Sequence, residues 1–167
     1  MMRIRPASLL AAALLFIGLH APEANAMSPL PFFQRVERVG LLCAVDTAGG
    51  VSAADLGEGA LCDRAAAVLS GLTASRPAVM ALAPNDARIA DPATLLLLVH
   101  ATLRAEDGRW MLALAATLQR AGSDATPPFF VTPPQALHIA GSLDEASLDA
   151  ALGRLLDPLA RALRANP

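Results

Sequence analysis

Residues 94–122 read TLLLLVHATLRAEDGRWMLALAATLQRAG, and this stretch decides the fold. Two apolar runs meet at Asp107-Gly108, the dipeptide that suits a type I′ turn and therefore favours a β-hairpin. With the turn at that position, the cross-strand pairs on one face are all apolar: Leu103–Leu112, Ala101–Leu114, Val99–Ala116 and Leu97–Leu118. We expect this face to lie in the core, because a shift by one residue would turn every apolar side chain away from it.

The opposite face of the same hairpin is mixed in polarity. Its cross-strand pairs are Arg104–Met111, Thr102–Ala113, His100–Ala115 and Leu98–Thr117. The candidate binding residues on this face are His100, Thr102, Arg104, Thr117, Gln119 and, from a later strand, His138. Two interpretations stay open: a docking surface for a protein or small ligand, or an ordinary solvated face of the kind that antiparallel sheets often have.

The segment before the hairpin predicts a strand, a helix and a second strand. VERVGLLCAVD at 36–46 alternates in polarity and places Cys43 on the apolar side, which is typical of a strand. ALCDRAAAVLSGL at 60–72 repeats apolar residues at helical spacing. AVMALAP at 78–84 is a short strand ended by proline, and we expect PLPFF at 29–33 to be an extended lead-in.

The segment after the hairpin predicts an edge strand and a closing helix. PPFFVTPPQALHIAG at 127–141 is strand-like but interrupted by paired prolines, which restricts it to a sheet edge. SLDEAS at 142–147 predicts a capping box in which Ser142 caps the helix and Glu145 reciprocates. A leucine stripe follows, and we expect Pro158 to kink or restart this helix.

The order of elements predicts an α+β fold. We expect a two-layer sandwich in which a mixed sheet with a central β-hairpin is covered on one face by two helices. This order resembles the small β-α-β-β-β-α domains at the amino end of TolB and in the CsgG and LpoB group of envelope proteins. The resemblance runs through RVGLLCAV, ALCDRAAAVLSGL, the hairpin and the closing helix. It implies an envelope protein that binds other proteins, and it brings no catalytic residue with it.

The amino end has the composition of an export signal. Arg3 and Arg5 precede an apolar run of about a dozen residues, and Ala24-Asn25-Ala26 follows. The run is shorter than the roughly 20 residues that a transmembrane helix needs, so we predict a signal peptide at 1–26 with cleavage after Ala26; a retained anchor is the alternative. Residues 27–167 then form one domain in the periplasm or outside the cell, with no further transmembrane segment.

Composition narrows the class of partner. The formal net charge is −2, and it becomes about −3 without the signal peptide, because two arginines and one glutamate leave with it. No basic excess favours nucleic acid. All 13 residues counted as lysine or arginine are arginine, which indicates a GC-rich bacterial genome. We therefore expect no nucleic acid as a partner; the resemblance to envelope domains implies an envelope or periplasmic protein instead.

The two cysteines, Cys43 and Cys62, are predicted to form a disulfide. Export favours such a bond, and packing the helix on the sheet brings the two side chains together. The bridge closes a loop of about 20 residues and stabilises the fold by roughly 3 kcal/mol on the chain-entropy model. Two alternatives carry less support: a reactive thiol, although neither cysteine has a C-x-x-C neighbour, and a metal site with His100 and His138, although the spacing fits no zinc finger.

No catalytic constellation stands out in the sequence. Asp46, Asp55, Glu58 and Asp63 are the nearest acidic cluster, but acids near a helix start also interact favourably with its dipole. We predict a non-catalytic accessory or interaction protein of the bacterial cell envelope, without cofactor or metal. The alternative is a periplasmic protein that binds a small ligand or metal through the sheet face of His100 and His138.

Overall fold

The computed structural model describes residues 31–48, 56–106, 109–122, 132–139 and 142–166. The predicted signal peptide, the Asp107-Gly108 turn, and residues 127–131 and 140–141 of the predicted edge-strand segment lie outside the described residues. Within them, the strands are β1 (Arg38–Ala48), β2 (Ala78–Ala81), β3 (Thr94–Glu106), β4 (Arg109–Arg120) and β5 (Gln135–Ile139). The helices are α1 (Glu58–Leu72) and α2 (Glu145–Ala165), with short 3₁₀ helices at Pro31–Phe33 and Ala87–Ala90.

The five strands form one mixed sheet in the order β2-β1-β3-β4-β5. β1 is parallel to both of its neighbours, whereas β3, β4 and β5 are antiparallel. The hairpin register is the one that the apolar pairs predicted, from Leu103 opposite Leu112 to Leu97 opposite Leu118. The predicted α+β class with a central hairpin is confirmed.

Both helices pack on one face of this sheet. α1 lies against β1 and β2, α2 lies against β4 and β5, and the helices also contact each other. Between the two layers lie fully buried leucines from every part of the chain, among them Leu41, Leu61, Leu97, Leu114, Leu152 and Leu156. Since each such side chain stabilises the fold by about 1.5–3 kcal/mol, this layer is the main source of stability.

The disulfide joins the two layers at β1. The Cys43 and Cys62 Cα atoms are 5.5 Å apart and the sulfur atoms are bonded, as predicted. Cys43 contacts the core from β1, and Cys62 is buried on the first turns of α1. The bond therefore fixes α1 over the middle of β1.

Two local predictions were wrong at the ends of elements. The described part of the predicted extended lead-in, Pro31–Phe33, is a 3₁₀ helix whose two phenylalanine rings are buried edge to face, 5.3 Å between centroids. The N-cap of α2 is Asp144, which accepts from the Ser147 amide at 2.8 Å, so Ser142 caps nothing. Packing decides both whether the rings are buried and which of several neighbouring residues caps the helix. Local sequence patterns contain no information about this packing.

α2 continues through Pro158 as one helix, so the predicted restart did not occur, and a kink at this position stays a prediction. Proline removes the bond to the carbonyl of Arg154, one turn earlier. Pro158 is half-buried and Arg154 is exposed, so the loss falls on the outer side of the helix. Burial of the leucines on its inner side, among them Leu155 and Leu159, stabilises α2 across this position.

Arg64 links α1 to the start of α2. Its guanidinium donates to Asp149 at 2.5 Å and to Glu145 at 2.8 Å. The hydrogen bond from Arg64, together with its positive charge, lowers the pKa of Glu145 below its ordinary value. Glu145 therefore forms an ion pair with Arg64 between the two helices and does not form the predicted capping box.

Gly40 marks a close approach at the β2 side of the sheet. A Cβ at this position would lie 2.2 Å from Leu82 Cδ1. Leu82 follows β2 and is buried against the face that carries no helix. Only glycine leaves room for it there.

Removing the disulfide should lower stability without changing the fold. For Cys43→Ala/Cys62→Ala we expect a loss of roughly 3 kcal/mol in the free energy of unfolding, from the entropy that the unfolded chain regains. Urea unfolding followed by circular dichroism measures it. Reduced wild-type protein serves as the control and should match the variant; equal stability of oxidised wild type and variant would contradict the account.

Two glycine variants should shift stability in opposite directions. Gly40→Ala should destabilise the protein by about 1–3 kcal/mol, because Leu82 must move out of a packed position. The matched control is Gly153→Ala in α2, where an added Cβ meets no atom within 4 Å. It should stabilise by about 0.5–1 kcal/mol through helix propensity. Thermal unfolding of both variants checks the sign of each change.

The contribution of the Arg64–Glu145 ion pair to stability should decrease at acidic pH. Because the pKa of Glu145 is lowered in the folded state, its contribution is complete above the unfolded pKa of 4.5 and is lost as pH falls through the lower folded value. Arg64→Met should bring the Glu145 titration back toward its ordinary range and flatten this part of the stability profile. Carboxyl NMR measures the titration, and Arg104→Met, a change on the sheet, is the control that should leave it unaltered.

Candidate interaction surface

The face of the sheet that carries no helix is the candidate site, and we call it the open face. Its members are the alternate strand residues that point away from α1 and α2, as the strand registers define them. They are Leu42, Ala44 and Asp46 of β1; Leu98, His100, Thr102 and Arg104 of β3; Met111, Ala113, Ala115, Thr117 and Gln119 of β4; and Ala136 and His138 of β5. All six residues predicted for a binding face therefore lie on it.

The centre of the open face is apolar and only half-buried. Leu42 and Leu98 are neighbours in the β1–β3 register, and Ala115 follows across β4 on the next row. Met111 and Ala113 continue the half-buried surface along β4. Around them lie exposed polar side chains: Asp46, His100, Arg104, Thr117, Gln119 and His138. Apolar surface inside a polar rim is the pattern typical of protein interaction sites.

A side-chain hydrogen bond crosses the open face between β1 and β3. His100 Nε2 lies 2.7 Å from Asp46 Oδ2, with the two side chains 50% and 70% exposed. The pair orients the imidazole toward β1. Among the described residues, no hydroxyl or thiol donates to this ring, so the pair does not form part of a nucleophile–base constellation.

Sequence reasoning missed Asp46 as a member of this face. It grouped Asp46 with Asp55, Glu58 and Asp63. Asp55 lies outside the described residues, and the structure places Asp46 on the open face and Glu58 and Asp63 on α1, beyond the sheet. Only the parallel register of β1 with β3, which sets Asp46 beside Thr102, brings it to His100. No local pattern fixes the register of two strands separated by some 50 residues, so the sequence offered no signal.

His100 and His138 share the open face but not one site. His138 lies opposite Met111, which pairs with Arg104, whereas His100 pairs with Ala115. The two histidines are two strands apart across the sheet and four residues apart along the strand direction. Their Cα atoms are therefore roughly 16 Å apart, which is too far for both side chains to bind one metal ion. Both cysteines are in the disulfide. In the part of the chain that the structure describes, no group of three or more metal-ligating side chains comes together.

The open face is bounded at its β2 end. Leu82 lies over Gly40, and Leu96 is buried beside them. Arg88 contacts Met80 Sδ at 2.9 Å and pairs with Asp86 at 2.6 Å. The accessible part of the face therefore runs from β1 to β5 and away from β2.

Comparison with solved structures found similarity to two crystal forms of the PelC dodecamer from Paraburkholderia phytofirmans, one of them a point variant. Sequence identity is 17% in both; the TM-scores are 0.46 and 0.45, over 75% and 77% of this chain and 90% and 91% of the PelC chain. A third structure, described as an uncharacterized protein, gives a TM-score of 0.38 and 16% identity over 78% of this chain and 94% of that chain. No protein-family model matches the sequence, and no curated protein matches it.

Proposed function

We propose that this protein is an exported, non-catalytic interaction protein of the bacterial cell envelope, which binds another envelope or periplasmic protein through its open face. The Cys43–Cys62 disulfide is consistent with an exported protein, since oxidising compartments make and keep such bonds. The basic, apolar and A-x-A segments at the amino end support the same destination. Within the described residues, no helix is long and apolar enough to cross a membrane.

The observation that carries the proposal is the open face itself. Both helices lie on the other side of the sheet, so the side chains of four strands present a broad surface with Leu42, Leu98 and Ala115 at its centre. Burying this centre against a partner would remove apolar area from water, and the rim of charges would set the orientation of binding. The element-order resemblance to protein-binding envelope domains adds support.

The partner should present an apolar centre with complementary charges. Asp46 with His100 lies on the β1 side of the rim, and Arg104 and His138 lie toward the hairpin end and β5. A partner surface that is acidic opposite Arg104 fits this distribution. The alternative of a metal or small ligand held jointly by His100 and His138 gains no support from the geometry, because the two side chains do not converge.

A pair of charge variants tests the proposal. Ala44 is exposed on the open face and Ala67 is exposed on the outer side of α1, so glutamate fits either position without disturbing the core. Ala44→Glu should weaken partner binding by at least about tenfold, because it puts an unpaired charge beside the apolar centre. Ala67→Glu should leave binding unchanged.

The measurement is photo-crosslinking in cells, with the photoreactive residue at Thr102 or at Ala150 on α2, followed by mass spectrometry of the periplasmic and membrane fractions. We expect a specific product from the Thr102 position that disappears in Ala44→Glu and persists in Ala67→Glu. A product that forms equally from Ala150, or survives Ala44→Glu, would contradict binding through the open face. The same sample reports whether the chain is cut after Ala26.

A further inference from the structure

A cleft lies at the end of the sheet where β1 and β3 begin and β4 ends. Its volume is about 440 Å³, and it is separate from the accessible part of the open face. The charged residues that line it are Arg35, Glu37 and Arg120, with Gln34, Ala93 and Gly122 also contributing. Pockets that bind small molecules have volumes of about 300–1,000 Å³, so the cleft has room for a small organic molecule.

The Arg120 guanidinium is held in place at the cleft by main-chain carbonyl groups and not by a carboxylate. Its Nε donates to the Pro92 carbonyl at 2.7 Å, and its two terminal nitrogens donate to the carbonyls of Phe32 at 2.6 Å and Arg35 at 3.4 Å. Three main-chain oxygens therefore use three of the five N–H donors of the guanidinium. They fix its position but supply no negative charge, and two donors remain.

Arg35 adds a second positive charge beside the first. Burial lowers the pKa of Arg120, and the nearby positive charge of Arg35 lowers it further. Two like charges so placed repel each other. Arg35 is exposed, and its backbone has a φ of 56°, in the left-handed region that non-glycine residues rarely adopt. Such conformations cluster at functional sites, where the surrounding structure has to hold them.

In the described part of the chain, the acids near the cleft are already engaged. Glu37 pairs with Arg38 at 3.1 Å, and Arg38 also pairs with Asp91. The Asp91 carboxylate in turn accepts from the Ala93 amide at 2.8 Å. Three arginines thus face two carboxylates, both of which are bound to Arg38. The excess charge lies on Arg35 and Arg120, which have no ion-pair partner among the described residues.

We propose that this cleft binds an oxyanion, a carboxylate or phosphate group on a small organic molecule, between Arg35 and Arg120. Guanidinium groups present planar pairs of N–H donors that match the geometry of both groups. Arg120 is already positioned, so binding orders only the Arg35 side chain. Binding of the anion also relieves the repulsion between the two arginines. The site is independent of partner binding through the open face, since it lies at the end of the sheet.

Titration of the mature protein with inorganic phosphate and, separately, with citrate tests the proposal, with amide NMR shifts as the readout. We expect saturable shifts at Gln34–Glu37, Ala93 and Ala121–Gly122 that weaken as sodium chloride is added. The tighter of the two probes identifies whether the cleft prefers phosphate or carboxylate. Absence of saturable binding of either probe at millimolar concentrations would overturn the proposal.

Matched arginine variants locate the binding. Arg35→Gln should weaken affinity about tenfold, the loss expected for one charge-assisted contact. Arg109→Gln removes an exposed arginine from the opposite end of β4 and should leave affinity unchanged. Arg120→Gln is unsuitable because its guanidinium also holds the chain near Phe32 and Arg35. Equal weakening by Arg35→Gln and Arg109→Gln would show general attraction to charge and would overturn the assigned site.

Discussion

The parallel pairing of β1 with β3 is the constraint on which the rest of the structure depends. All eleven residues from Arg38 to Ala48 pair with Thr94 to Arg104. Because side chains alternate along a strand, this one register determines both faces of the sheet. It sets Cys43 beside Val99 on the core side, where α1 supplies Cys62, and it sets Asp46 beside Thr102 on the open side, within reach of His100.

The two faces of this sheet have different physical roles. On the covered face, leucines from both helices and from the central strands exclude water, and the disulfide and the Arg64 link hold α1 in place. On the open face, the same strands expose an apolar centre within a polar rim. Most of the stability therefore comes from the covered side of the sheet, whereas on the open side close packing is found at the β2 end, where Leu82 lies over Gly40.

The cleft at Arg35 and Arg120 depends on a third feature, the folding of the chain before β1 over the end of the sheet. The buried rings of Phe32 and Phe33 bring the carbonyls of this segment to the Arg120 guanidinium. The hydrogen bonds that tie the segment down thus also bring two positive charges together. At this end of the sheet, the contacts that hold the fold together also position the charges. On the open face, the exposed charges take no part in the buried core.

The sequence predicted most of the fold, because the relevant signals are local or nearly so. The Asp107-Gly108 dipeptide and the apolar pairs predicted the register of the two hairpin strands, and helical periodicity located α1 and α2. Element ends were less predictable: Asp144 and not Ser142 caps α2, since neighbouring residues offer similar side chains and packing selects one of them. Pro158 stayed within α2, because the burial of leucines on either side outweighs one lost hydrogen bond.

The sequence by itself thus determined the elements, the two faces of the hairpin and the pairing of Cys43 with Cys62. Only the tertiary structure decided which distant residues meet. The Asp46–His100 pair, the separation of His100 from His138 and the junction of Arg35 with Arg120 each join residues from different elements. The positions of these residues follow from the strand order and from the packing of the helices on the sheet. Both depend on burial throughout the core, and no short stretch of sequence contains that information.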